Sequence, residues 1–217
     1  MVDTSYFLED PPPEGFTSTP RDLEALIDEH LQPWALLRKE ATDVDADDPG
    51  IRCLDIGKMM MTDTGNFRFV ETRGVIIQIR PAIQVGMPRR IFMDQKHPDN
   101  PPLTWDGHSV GHWDADTLVV DSIGFNDKSP LHAQWFQPHT SELRVVERYR
   151  LVADGDYMEY KVTVSDRKAL KSPYSYTRYF KRTEDPSSYD ACNPSPKEVL
   201  RWYRMWQAAM DRATAAQ

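Results

Sequence analysis

From Asn66 onward, apolar and polar residues alternate with a period of two, the spacing at which side chains share one face of a strand. The alternation predicts strands at Asn66–Glu71, Val75–Arg80, Arg90–Met93, His108–Trp113, Thr117–Ile123, Glu142–Leu151, Tyr157–Ser165 and Tyr174–Lys181. Turn signals separate several of them: Thr-Arg-Gly at 72–74, Asp-Ala-Asp at 114–116 and Ala-Asp-Gly-Asp at 153–156. Short gaps favour antiparallel hairpins, because parallel neighbours need a crossover of about a dozen residues or more. About eight such strands in a meander predict a closed barrel over residues 66–182, with an open, strongly curved sheet as the alternative.

The period changes to a helical one at both ends. Residues 1–17 read as an extended arm. Residues 18–42 read as helices: Ser18 or Thr19 can cap the first, Pro20 suits its first turn, and Leu23, Leu26, Ile27, His30 and Leu31 share a face. Pro33 then opens a second short helix, followed by an acidic loop. Residues 195–213 begin with a capping box, Ser195 with Glu198, and carry a Val199, Tyr203, Trp206 and Met210 stripe that packs on the sheet. The whole reads as a single mainly β domain: a lipocalin-like antiparallel meander barrel of about eight strands with N-terminal and C-terminal helices.

Composition narrows the function classes. The chain has 217 residues, 40% hydrophobic and 28% charged, with a net charge of −8. No basic run exceeds two residues, which argues against nucleic acid or an anionic membrane surface as partner. No apolar run approaches the roughly 20 residues of a membrane span. The first residues lack the features of a secretory signal, so a cytoplasmic location is expected, or a periplasmic one if a leader has been removed. Cys53 and Cys192 lie far apart in no CxxC arrangement. A structural zinc site is not expected; two free thiols or, in an oxidising compartment, one disulfide are the readings.

The segment GHSVGHWDADTLVVDSIGFND, residues 107–127, holds the candidate chemistry. On a strand, His108 and His112 face the same way but sit roughly 13 Å apart, too far for one metal ion to join them. No metal is expected from this pair, although either histidine alone could ligate with distant residues; with no Walker loop and no Gly-x-Gly-x-x-Gly, no cofactor is expected either. If Ala115 and Asp116 form a two-residue turn, His108 pairs with Ile123, Val110 with Asp121 and His112 with Val119. Asp121 would then lie diagonally between the histidines, where a carboxylate can fix a tautomer and raise basicity. A three-residue loop would slip the register and flip Asp121 to the other face. The strand Glu142–Leu151 puts Glu147 on the apolar face with Leu143, Val145, Tyr149 and Leu151. A buried carboxylate needs a partner or a proton, and Arg178, sharing a face with Tyr174, Tyr176 and Phe180, is the expected partner. The pair is either structural or part of a cavity lined by Glu147, Tyr149, Tyr174, Tyr176 and Arg178 together with His108, His112 and Asp121. Asn126, Asp127, His132, Trp135 and His139 lie on the long connection after the hairpin and are candidates to close the barrel mouth.

The 107–127 segment, with HTSELRVVERYRL and YKVTVSDRKALKSPYSYTRYF after it, resembles a large family of uncharacterised bacterial proteins. Their motif reads Gly-His-Ser-x-Gly-x-Trp-acidic-Gly-Asp-Thr-Leu-Val-Val-Asp-Thr-x-Gly-Phe-Asn-Asp, and many of them look exported. The similarity runs from Arg90 to Lys181 and departs at Ala115, where the family has Gly. The resemblance implies a lipocalin-like or related β-barrel and carries no activity with it.

The residues alone point to a cofactor-independent lyase, hydratase or isomerase acting by acid–base chemistry on a hydrophobic, aromatic small molecule. His108 or His112 would be the base, oriented by Asp121, with Arg178 and a tyrosine on the developing oxyanion. Carbon–carbon cleavage of a plant-derived phenolic with loss of formaldehyde would suit the equipment. Two other readings stand beside it. One is a non-catalytic carrier for a hydrophobic small molecule; the other is an interaction module whose C-terminal helix mediates a homodimer, so that truncation after Pro194 would abolish self-association.

Overall fold

The computed structural model describes residues 4–8, 11–20, 22–43, 47–49, 66–79, 88–132 and 135–183. Among the described residues, nine strands form one sheet: β1 Thr4–Leu8, β2 Asn66–Thr72, β3 Val75–Ile79, β4 Arg89–Met93, β5 His108–Asp114, β6 Thr117–Ile123, β7 Arg144–Val152, β8 Tyr157–Ser165 and β9 Tyr174–Thr183. Each pairs with the next in sequence, and β1 also pairs with β9, so the ladder closes on itself. The expected mainly β barrel is therefore present. The arm at the N-terminus is extended, as expected, but part of it is the strand that closes the sheet, with Tyr6 and Leu8 buried. It was too short and too close to the Pro-rich stretch to show as a strand by periodicity.

One ladder departs from a pure antiparallel meander. Strands β4 and β5 run parallel, with Ile91 opposite Ser109 and Met93 opposite Gly111. The connection from Asp94 to Gly107 is long enough for the crossover that parallel neighbours require.

Alternation fills the interior. Phe67 and Phe69 of β2, Tyr149 of β7, Tyr160 of β8 and Phe180 of β9 are all buried. They meet edge to face, with Phe67–Phe180 centroids 4.8 Å apart and Phe69–Tyr149 centroids 5.1 Å apart. That geometry places the positive ring edge on the negative ring face.

Helices α1 (Glu24–His30) and α2 (Pro33–Glu40) bury Leu23, Ile27, Leu31 and Ala35. They dock on the β8–β9 connection through Gln32 N–H to the Ala169 carbonyl, 2.8 Å, and Lys171 N–H to the His30 carbonyl, 2.7 Å. Neither Ser18 nor Thr19 caps α1, whose N-cap is Leu23. Thr19 instead serves β9: its Oγ1 accepts from Thr177 N–H at 3.0 Å, and its own N–H donates to the Thr177 carbonyl at 3.1 Å. The helix expected at 195–213, Cys53 and Cys192 lie outside the described residues. Among the described residues, no helix is long and apolar enough to cross a membrane.

The β5–β6 hairpin adopts the two-residue turn, with Asp114 opposite Thr117, His112 opposite Val119, Val110 opposite Asp121 and His108 opposite Ile123. Ala115 takes a positive φ of 54° to make it. A β-carbon is strained in that region and glycine is not. Ala115→Gly is therefore expected to stabilise the protein by about 0.5–1 kcal/mol, the relief of strain outweighing the extra freedom of the unfolded chain. A higher urea midpoint with an unchanged slope is the expected readout.

Candidate functional site

The polar residues of interest fall on two faces of the same sheet. The inward set centres on Glu147, fully buried on β7. One carboxylate oxygen accepts from Tyr149 Oη at 2.5 Å and Tyr160 Oη at 3.2 Å; the other accepts from Arg89 Nη2 at 2.6 Å. Arg89, also buried, donates further to Ser109 Oγ at 2.9 Å, Gln78 Oε1 at 3.0 Å and Ser122 Oγ at 2.7 Å. Burial disfavours the Arg89 cation, but Glu147, with Tyr149 and Asp106, together more than offset it and leave the guanidinium pKa raised. Burial, followed by the adjacent carboxylate, pushes the Tyr149 hydroxyl well above its ordinary value. The pair resembles a buried ion pair whose remaining donors and acceptors are satisfied by neighbours.

Glu147 is thus inward, as expected, but its cation is Arg89 rather than Arg178. Arg178 is buried on β9, where its Nη1 donates to the Thr19 carbonyl and its guanidinium lies 5.2 Å from the Tyr176 ring centre. It ties the N-terminal segment to the barrel wall. Tyr174 and Tyr176 are inward and buried, as their alternation predicts.

His108, His112 and Asp121 share a face, as the hairpin register requires, but it is the outer face. Inward positions of this hairpin belong to Ser109, Gly111, Leu118, Val120 and Ser122. The expected single cavity joining the histidines to Glu147 and Tyr149 is therefore not formed: the sheet separates them. Small residues occupy the inner face of β5 because β4 side chains fill that space. A β-carbon on Gly111 would lie 2.7 Å from Ile91 Cγ2.

On the outer face, a residue that periodicity did not single out completes the group. His97, on the β4–β5 crossover, places its Nδ1 2.9 Å from His108 Nδ1. Its Nε2 lies 3.7 Å from Asp121 Oδ2. Arg144 of β7 grips the same carboxylate with a fork, Nε to Oδ1 at 2.9 Å and Nη2 to Oδ2 at 2.7 Å. Phe92 stacks on the His108 ring, centroids 5.1 Å apart and planes 12° from parallel. Burial, helped by His97, holds the His108 pKa below its ordinary value. His112, four residues further along β5 on the same face, is exposed.

At 3.7 Å the contact between His97 Nε2 and Asp121 is longer than a hydrogen bond. In the 2.9 Å contact between the two Nδ1 atoms one ring donates and the other accepts, and either ring can take either part. Asp121, His97 and His108 thus form a close group on the outer face.

A cleft of about 560 Å³ adjoins this group. Ile123, the ladder partner of His108, and Arg144 both line it, as do Asp99, Pro101 and Leu103 of the crossover. The long connection does not bring its candidates together here. Asn126 Oδ1 accepts from Lys128 N–H in a local turn, and Asp127 is exposed. His132 is buried and stacked on Trp135 at 3.9 Å. His139 is buried, donates from Nδ1 to the Thr140 carbonyl, and has its pKa lowered chiefly by burial. Among the described residues, no three His, Cys, Asp or Glu side chains converge as metal ligands.

The two lowered histidines set a pH dependence. Their unfolded forms bind protons more readily than the folded ones, so stability is full above the ordinary histidine value of about 6.5 and falls as pH drops through the lowered folded values. The urea midpoint should therefore be lower at pH 5 than at pH 7.5. Replacing both His108 and His139 with Gln should flatten that difference.

No family model, curated protein or solved structure matches the chain.

Proposed function

We propose that the protein is an acid–base enzyme, a lyase, hydratase or isomerase, acting on a hydrophobic, aromatic small molecule with groups supplied by its own side chains. The observation that carries this is the His97–His108 contact with Asp121 beside it, joined through the Arg144 fork to a cleft that Arg144 lines. A histidine with a lowered pKa is neutral at pH 7, as a general base must be. His97, in contact with His108 through the two Nδ1 atoms, would orient the base, with Asp121, braced by Arg144, beside it. Arg144, which grips Asp121 and lines the cleft, takes the place given to Arg178 as the candidate for stabilising a developing oxyanion. The apolar wall of Pro101, Leu103 and Ile123 favours a hydrophobic substrate.

The test is a turnover screen of phenolic and terpenoid compounds by mass spectrometry. Phenolics bearing a hydroxymethyl group should be included, with released formaldehyde as their readout. Turnover that survives Glu147→Gln in folded protein but not His108→Ala supports the outer-face base. Binding without turnover of any compound rejects the enzyme and leaves a carrier. That second reading is favoured by the apolar side chains of the cleft, Pro101, Leu103 and Ile123.

A further inference from the structure

The ligand class of the cleft follows from counting donors and acceptors along its polar wall. Asp166 is buried and fully engaged: it accepts from Thr140 N–H at 2.6 Å, Thr140 Oγ1 at 2.9 Å, Lys168 N–H at 3.0 Å and Ala169 N–H at 2.9 Å. Glu142 is bridged by Lys168 Nζ at 3.0 Å and Arg167 Nε at 3.4 Å. Asp121 is held by the Arg144 fork. The carboxylates of this wall are therefore committed, and Asp99 stands at the exposed rim.

The guanidiniums are not committed to the same degree. Each carries five N–H groups. Arg144 uses its Nε and one Nη2 proton on Asp121, and Arg167 meets Glu142 through Nε alone among the described contacts. Both line the cleft, and their side chains are 57% and 91% exposed, so their remaining donors are available to a ligand. The lining also includes Pro101, Ile123 and Leu103, the last 57% exposed although it is a large aliphatic side chain. A volume of about 560 Å³ lies within the range of small-molecule sites, roughly 300–1,000 Å³.

We propose that this cleft binds a small amphipathic carboxylate. Its apolar body lies on Pro101, Leu103 and Ile123, and its carboxylate takes the outward donors of Arg144 and Arg167. Guanidinium suits a planar carboxylate because two parallel N–H groups meet two oxygens. Arg144 would then join two carboxylates, that of Asp121 and that of the ligand, and so set the ligand beside the histidine pair. That the bound carboxylate is a substrate rests on the acid–base reading above; that it binds does not.

The probes are 3-phenylpropanoate, its amide and its alcohol, titrated into the full chain and followed by amide NMR shifts. The carboxylate should give saturable shifts at Leu103, Ile123 and Gly124 and bind about ten-fold more tightly than either neutral probe. Arg167→Gln, a change at an exposed side chain, should weaken the carboxylate about ten-fold and leave the neutral probes unchanged. Arg144→Lys, which keeps the charge and loses the fork, should weaken it too. Equal binding of all three probes, no saturable shifts at millimolar concentration, or shifts mapping away from the cleft would overturn the proposal. Carboxylate binding without turnover of any compound leaves this site standing and removes the enzyme reading. Turnover of neutral phenolics with no carboxylate binding does the reverse.

Discussion

Arg89→Met should destabilise the barrel by about 3–5 kcal/mol, the cost of leaving a buried carboxylate without its cation. For a chain of this size that corresponds to a loss of roughly 10 °C in Tm. The reasoning rests on Glu147 and Arg89 being 0% and 2% exposed and 2.6 Å apart at the contact. The two tyrosine hydroxyls at 2.5 and 3.2 Å soften the loss but cannot neutralise the charge. Glu147 can escape only by taking up a proton, so its pKa in the variant should rise. The damage should then be smaller at pH 5 than at pH 7.5, the opposite trend to that expected from the buried histidines. The double change Arg89→Met with Glu147→Leu removes both charges and should recover much of the loss. Calorimetry of the four proteins tests the pair. A single-variant cost under about 1 kcal/mol would mean that the carboxylate is not held as an ion.

His108→Ala should lower turnover by about 10²–10⁴-fold, the range ordinarily supplied by a positioned general base. His97→Ala should lower it less, by about 10–100-fold, because it removes the partner that orients the base and not the base itself. His97→Gln can still offer a hydrogen bond and should recover part of that loss. The pH–rate profile separates the roles: the acid limb belongs to His108 and should move when His97 is changed, since His97 contributes to the lowered His108 pKa. His112→Ala, on an exposed side chain beyond the cluster, should leave turnover within about two-fold. The assay is steady-state kinetics on the first substrate found, with circular dichroism to show that each variant is folded.

The barrel was legible because long strands alternate. In β7, Val145, Glu147 and Tyr149 fall on one face and Arg144, Arg148 and Arg150 on the other, so Glu147 could be placed inside from the sequence. Its partner could not. Arg89 opens a five-residue strand, Arg-Arg-Ile-Phe-Met, with a cation on each face, and nothing in so short a run says which arginine points inward. The β5–β6 hairpin was legible from Asp-Ala-Asp, but its register stayed open between a two-residue and a three-residue loop, and its inner face was not legible. Ser109 and Gly111 look less buried than a histidine, and they face the core only because Arg89 and Ile91 of the parallel neighbour take up the room. His97 lies in Asp-Gln-Lys-His-Pro-Asp-Asn, a stretch with no periodicity. What brings it to His108 is the crossover that the parallel pairing imposes, a long-range feature without a local sign. The closing strand β1 was hidden for the same reason, being five residues long and identified by its partners β2 and β9.

The most direct test of the outer-face base is long-range proton–nitrogen NMR of the imidazole rings in the unliganded protein at neutral pH. For the proposed base, the expected spectrum has His108 protonated on Nδ1 and bare on Nε2, with a slowly exchanging proton between the two Nδ1 atoms. His108 in the ordinary Nε2–H form, with no proton shared between the two Nδ1 atoms, would contradict it.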